Sequence, residues 1–136
     1  MPLLLPLLHH PPLYYFSLLI RAEDICLELH DHYVKQTYRN RCRILGPNGV
    51  HTLSIPVIRR HGMKNYYRDV RIDYGLPWNK IHWKSLVAAY AASPYFEYMA
   101  DELAPFYEKH YAFLVDLNMQ LLDCHMKLLE LKKPIQ

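Results

Sequence analysis

The chain has 136 residues, 51% hydrophobic and 21% charged, with a formal net charge of +3. This mixture fits a single folded domain spanning 1–136 and excludes a disordered chain, while the charge is too mild to argue for nucleic acid. Cys26, Cys42 and Cys124 are odd in number and lack a CxxC pair, which fits reduced cytoplasmic thiols better than a disulfide framework or a zinc site. The opening MPLLLPLLHHPPL lacks a basic n-region and a small-residue cleavage site, so it reads as mature protein. No window approaches the roughly 18 uncharged apolar residues of a membrane span.

In chain order, residues 2–8 read as a first buried strand, closed by His9, His10, Pro11 and Pro12. Pro12 is placed to open a helix running to about Arg21, with Leu13, Phe16, Ser17 and Ile20 on one face. Ile25 to Leu29 reads as a second strand, completing a βαβ unit. The basic segment Tyr33 to Ile44 follows, then Gly46-Pro47-Asn48-Gly49, a turn signal that joins the runs on either side as a hairpin. Val50 to Ile58 alternates with Leu53, Ile55 and Val57 inward, and Pro56 marks an edge or a strand end. Residues 59–65 read as an exposed loop, and Tyr66 to Ile72 as a strand with Val70 and Ile72 inward.

Beyond Gly75 the pattern is helical. Pro77 opens a helix with Trp83, Leu86, Val87 and Tyr90 on its apolar face, ended by Ser93-Pro94. A short helical piece from Tyr95 to Leu103 comes next. Pro105 is expected to start the longest helix, with Phe106, His110, Phe113, Leu117, Leu121, Cys124, Leu128 and Leu131 at three and four spacing. The predicted class is α+β, or a small α/β fold, with four or five strands and a helical C-terminal half packed on the sheet.

The chemistry with the clearest pattern is in the basic segment. With strand period, Lys35, Thr37, Arg39, Arg41 and Arg43 share one face, and Gln36, Tyr38, Asn40, Cys42 and Ile44 the other. As a helix, Lys35, Arg39 and Arg43 still stack at i, i+4, i+8. Either form presents cations suited to phosphate or carboxylate, with Lys35, Arg39, Asn40, Arg41 and Arg43 as candidate substrate-binding residues and Arg41 in the middle of the row. The structural alternative is a charged edge strand that blocks sheet-to-sheet pairing. His10, at the end of a first strand, and His82, near a helix N-terminus, are candidate general bases, since imidazole titrates near neutral pH. His30-Asp31-His32 lacks a third ligand at a diagnostic spacing, so no metal site is read. Cys42 faces inward by alternation and reads as inert packing.

Several stretches together resemble the WbqC-like protein family: LPLLHHPPLYYFSLLIRAED, HYVKQTYRNRCRI, LSIPV, VRID, PWNKIHWKSLVAAYAASPYFEYMADELAPFYE and FLVDLN. The resemblance runs from about Leu3 to Leu129. It implies a role in bacterial surface-polysaccharide or O-antigen assembly, with transfer of an amino acid or acyl group onto a sugar. The donor expected is a phosphate-bearing small molecule, such as a nucleotide sugar or a CoA-type thioester, held by the arginines. A non-catalytic binding or scaffold protein of the same pathway is the other reading. Two departures stand out: His9-His10 where relatives carry an aromatic residue before the prolines, and an end at Gln136 where relatives run on into a further segment.

Overall fold

The protein is described by a computed structural model that covers residues 3–29, 37–58 and 66–131. Leu3–Pro6 (β1) and Ile25–Glu28 (β2) pair in parallel, Leu3 opposite Ile25 and Pro6 opposite Glu28, with the helix Leu13–Arg21 (α1) between them. This is the βαβ opening that the sequence pattern predicts. The helix face differs from expectation. Tyr15, Phe16 and Leu19 are buried, whereas Leu13 and Ile20 face solvent. The Tyr15 hydroxyl donates to the Pro6 carbonyl at 2.8 Å, which orients the helix toward the strand end. Pro12 is the extended residue before the helix rather than its first turn.

Arg41–Gly46 (β3) and Gly49–Ser54 (β4) form the expected hairpin, with Arg41 opposite Ser54 and Cys42 opposite Leu53. Gly49 sits at φ 113, a conformation that a side chain would strain. Strand periodicity holds from Arg41 onward: Cys42 and Ile44 are buried while Arg43 and Leu45 are exposed. It does not hold over residues 37–40, which form a turn with Tyr38 exposed. Asn40 closes that turn by side-chain chemistry. Its Nδ2 donates to the Ile55 carbonyl at 2.9 Å, and its own carbonyl accepts from Ile55 N–H at 2.8 Å.

Pro56 has no N–H to continue the ladder, and the alternating run splits there. Val57–Ile58 (β5) pairs instead with Arg71–Ile72 (β6), antiparallel. The segment expected as one strand from Tyr66 is mostly a 3-10 turn, Tyr67–Asp69, with only β6 extended; Val70 and Ile72 are buried as expected. The described residues thus hold six strands in three two-stranded sheets, and with the helical C-terminal half they make the α+β fold that the sequence predicts.

The C-terminal half is helical: Trp78–Tyr90 (α2), Phe96–Glu108 (α3) and Leu114–Leu128 (α4). Pro105 does not open the last helix but lies inside α3, close to its end. The helix expected from Pro105 onward is interrupted because the intervening chain runs alongside β6. Ile72 N–H donates to the Ala112 carbonyl and Leu114 N–H to the Val70 carbonyl, both at 3.0 Å. Tertiary backbone pairing overrides a helical side-chain period here. The core joins Leu7, Leu19, Ile25, Ile55, Leu114 and Leu117, all essentially inaccessible, and α4 supplies Leu121 and Leu122 beside them. No helix among the described residues is long and apolar enough to cross a membrane.

Candidate functional site

Chain order puts the His9-His10 pair far from His82 and from His125, and the fold gathers all four. β1 ends at Pro6, and the next turn carries His9 and His10 to the point where α2, α3 and α4 meet. The His9 and His10 rings are 4.5 Å apart, His10 and His125 5.0 Å, and His9 and His82 6.5 Å between centroids. His10 adopts φ 42, a left-handed conformation that costs a side-chain-bearing residue on the order of 1–2 kcal/mol. Such strain persists where surrounding contacts fix it, and functional sites are where it collects.

His10 is held at both ring nitrogens. Its Nδ1 lies 2.8 Å from His125 Nε2 and its Nε2 lies 2.6 Å from the Tyr107 hydroxyl. One hydrogen is shared along each contact, so the three side chains form a continuous chain able to shift protons by tautomer exchange. Burial lowers the pKa of His10 and of His125, and burial raises that of Tyr107. At neutral pH the chain is therefore uncharged.

His9 and His82 are fixed differently. His9 Nδ1–H donates to Asn118 Oδ1 at 3.0 Å, and Asn118 Nδ2 donates to the Arg39 carbonyl at 2.7 Å and to the Tyr67 hydroxyl at 2.8 Å. His82 Nε2–H donates to the Ser54 carbonyl at 2.9 Å. These bonds leave His9 Nε2 and His82 Nδ1 as buried nitrogens without a protein partner. Loss of hydration pushes His9 down to about 3 and His82 to about 4. Among the described residues, no group of three or more His, Cys, Asp or Glu side chains is arranged to hold a metal ion.

Beside the His10–His125–Tyr107 chain a pocket of about 340 Å³ is lined by residues of β3, α2 and α3 together with His10 and His125, and Arg43 is among them. Of the sequence-predicted residues, this pocket brings together His10 and Arg43. His82 belongs to the same histidine cluster but borders a separate groove, together with Asn40 and Arg41. Arg39 leaves the expected row: it stands in the turn before β3 with its guanidinium 5.7 Å from the centre of the Tyr67 ring. Arg41 is half-buried, and its Nε has no protein partner. Lys35 and His30-Asp31-His32 lie outside the described residues. The polar chain itself eluded sequence reading. His125 and Tyr107 carry no local signal, since the first lies 115 and the second 97 residues from His10.

The model of the WbqC-like protein family matches residues 8–136. "Uncharacterized protein Rv1507c" of Mycobacterium tuberculosis is 34% identical over 110 residues, covering 80% of this chain and 47% of the relative. The chain thus spans about half the length of that curated relative. No solved structure matches it. On a match that takes in the histidine turn, the basic hairpin and all the C-terminal helices, the chain belongs to the WbqC-like protein family.

Proposed function

We propose that the protein is a cytoplasmic transferase of surface-polysaccharide assembly, moving an acyl or aminoacyl group from a phosphate-bearing donor to a sugar hydroxyl. The observation that carries this reading is the His10–His125–Tyr107 chain beside a pocket that also presents Arg43. In a thioester donor, the sugar oxygen attacks the carbonyl carbon, a C–O bond forms and the C–S bond breaks. A hydroxyl that takes the place of Tyr107 at His10 Nε2 passes its proton to that nitrogen, while His125 holds the Nδ1 side. The proton then goes to the departing thiolate. Arg43 binds donor phosphates through its planar guanidinium fork. His82 supports the cluster from the adjoining groove.

One observation favours the binding-protein reading: both ring nitrogens of His10 are already engaged. Two measurements separate the readings. Thermal-shift screening against UDP- and dTDP-sugars and CoA esters reports donor binding, with stabilisation of about 3 kcal/mol at a hundredfold excess over Kd. Mass spectrometry of sugar acceptors incubated with the stabilising donor reports transfer. Donor binding with acyl transfer that is lost in His10→Gln supports the transferase. Binding without transfer supports the scaffold reading, and no shift with any phosphate-bearing compound removes the donor proposal.

A further inference from the structure

The pocket distinguishes between the two kinds of group that the transferase reading leaves open. Ile44, Trp83, Leu86, Phe96, Met99 and Leu103 make its wall almost wholly apolar, from β3 across α2 to α3. Its polar groups are His10, His125, Arg43, Ser93 and Tyr90, with the Cys42 thiol and the Trp83 indole N–H, and of these Arg43 alone carries a charge. No Asp or Glu lines it among the described residues. An aminoacyl group would bring an ammonium into this space, and burial without a carboxylate partner is costly for such a charge. Among the described residues the ionic side chain on the wall is a cation, Arg43, which would repel it. An acyl chain meets neither obstacle.

Size points the same way. A cavity of about 150 Å³ accommodates a benzene ring. On that scale a pocket of about 340 Å³ has room for on the order of a dozen carbons, so an acyl chain of about eight fits inside it. We propose that this pocket selects an uncharged, apolar acyl group, with the carbonyl end toward His10 and His125 and the anionic part of the donor toward Arg43. The proposal rests on the transferase reading for the role of the acyl group, though not for its binding.

The test uses N-acetylcysteamine thioesters, which carry no phosphate, and isothermal titration of the full chain. Acetyl, butyryl, hexanoyl and octanoyl thioesters should bind with Kd falling about fourfold for each added methylene. The isocaproyl thioester should bind at least tenfold more tightly than the leucyl thioester, which has the same carbon skeleton plus an ammonium. Met99→Trp, at the pocket wall and 36% exposed, should flatten the chain-length series, while Met119→Trp on α4, 37% exposed and outside the pocket, should not. A flat series in the native protein, or equal binding of leucyl and isocaproyl thioesters, overturns the proposal. So does an unchanged series in Met99→Trp. Chain-length-dependent binding without acyl transfer would leave the pocket assignment standing and remove the transferase. Transfer from acetyl-CoA with no chain-length dependence would do the reverse.

Discussion

Asn118 on α4 and His9 after β1, 109 residues apart in sequence, meet through a 3.0 Å hydrogen bond in the interior. That contact ties the strand end carrying the candidate base to the last helix. Asn118 is fully buried, and its amide also serves the Arg39 carbonyl and the Tyr67 hydroxyl, which in turn donates to the Leu7 carbonyl at 2.6 Å. Asn118→Ala removes three hydrogen bonds of the interior, at about 1 kcal/mol or more each. The expected loss is about 3 kcal/mol or more by urea denaturation, a large fraction of a small domain's stability. A loss below about 1 kcal/mol would mean that the network is not a stabilising unit.

The buried imidazoles predict a pH dependence with a definite sign. His9 and His82 have folded pKa values of about 3 and about 4, against 6.5 for the exposed side chain. Between those values the unfolded chain binds more protons, so stability rises with pH. The contribution is complete above about pH 6.5 and is lost as pH falls toward 4 and below. Each group gives a slope of up to about 1.4 kcal/mol per pH unit in that window. The urea midpoint should be flat from pH 7 to 8 and drop steeply from pH 6 to 4. His82→Gln should make the drop shallower by about one proton's worth. A midpoint that does not change between pH 7 and 5 would show that these rings are hydrated.

Much of the fold is legible because its cues are local. The βαβ opening, the hairpin over Gly46-Pro47-Asn48-Gly49, the break at Pro56 and α2 after Pro77 each follow from a few adjacent residues. The expectations that differ involve distant partners. The face of α1 is set by what Tyr15 and Phe16 meet, and α3 and α4 separate because residues 112–114 bond to β6. The candidate site divides in the same way. His10 and Arg43 are visible from position and alternation, but Tyr107 and His125 acquire meaning only when three helices close around the end of β1.

The strained backbone at His10 can be measured by a pair of substitutions. His10→Ala and His10→Gly lose the same imidazole bonds to His125 and Tyr107, but only alanine keeps a Cβ at φ 42. The glycine variant should be the more stable by about 1 kcal/mol, despite its greater unfolded-state entropy. Both should lack transfer activity. Equal stability of the two would show that the turn relaxes once the ring is gone.

Cysteine reactivity offers a check on the hairpin's inward face. Cys42 is buried against the site, and burial pushes its thiol up to about 12, whereas Cys26 and Cys124 are half-buried. Iodoacetamide at pH 8 should label Cys42 at least tenfold more slowly than either of the others under native conditions. Comparable labelling of Cys42 would place it at the surface and invert the register of β3.

The last prediction concerns which arginine binds the donor. Arg41 is the middle member of a three-arginine row only if the extended chain reaches back to Arg39, and it does not. Arg39 is drawn aside to the Tyr67 ring, and its carbonyl holds Asn118. Arg41 borders the groove beside His82, half-buried, whereas Arg43 is exposed and lines the pocket with His10. Arg43→Ala should therefore weaken CoA binding most, by on the order of 1.5–3 kcal/mol for a lost charge-assisted contact. Arg43→Lys should recover only part of this, because the planar fork is lost. Arg41→Ala should cost less affinity and more stability. The melting temperature of Arg43→Ala should barely move, since an exposed cation leaves a strand face at little cost. If Arg43→Ala binds CoA normally while Arg41→Ala does not, the phosphates lie in the groove beside His82, and the general base would have to be sought there instead.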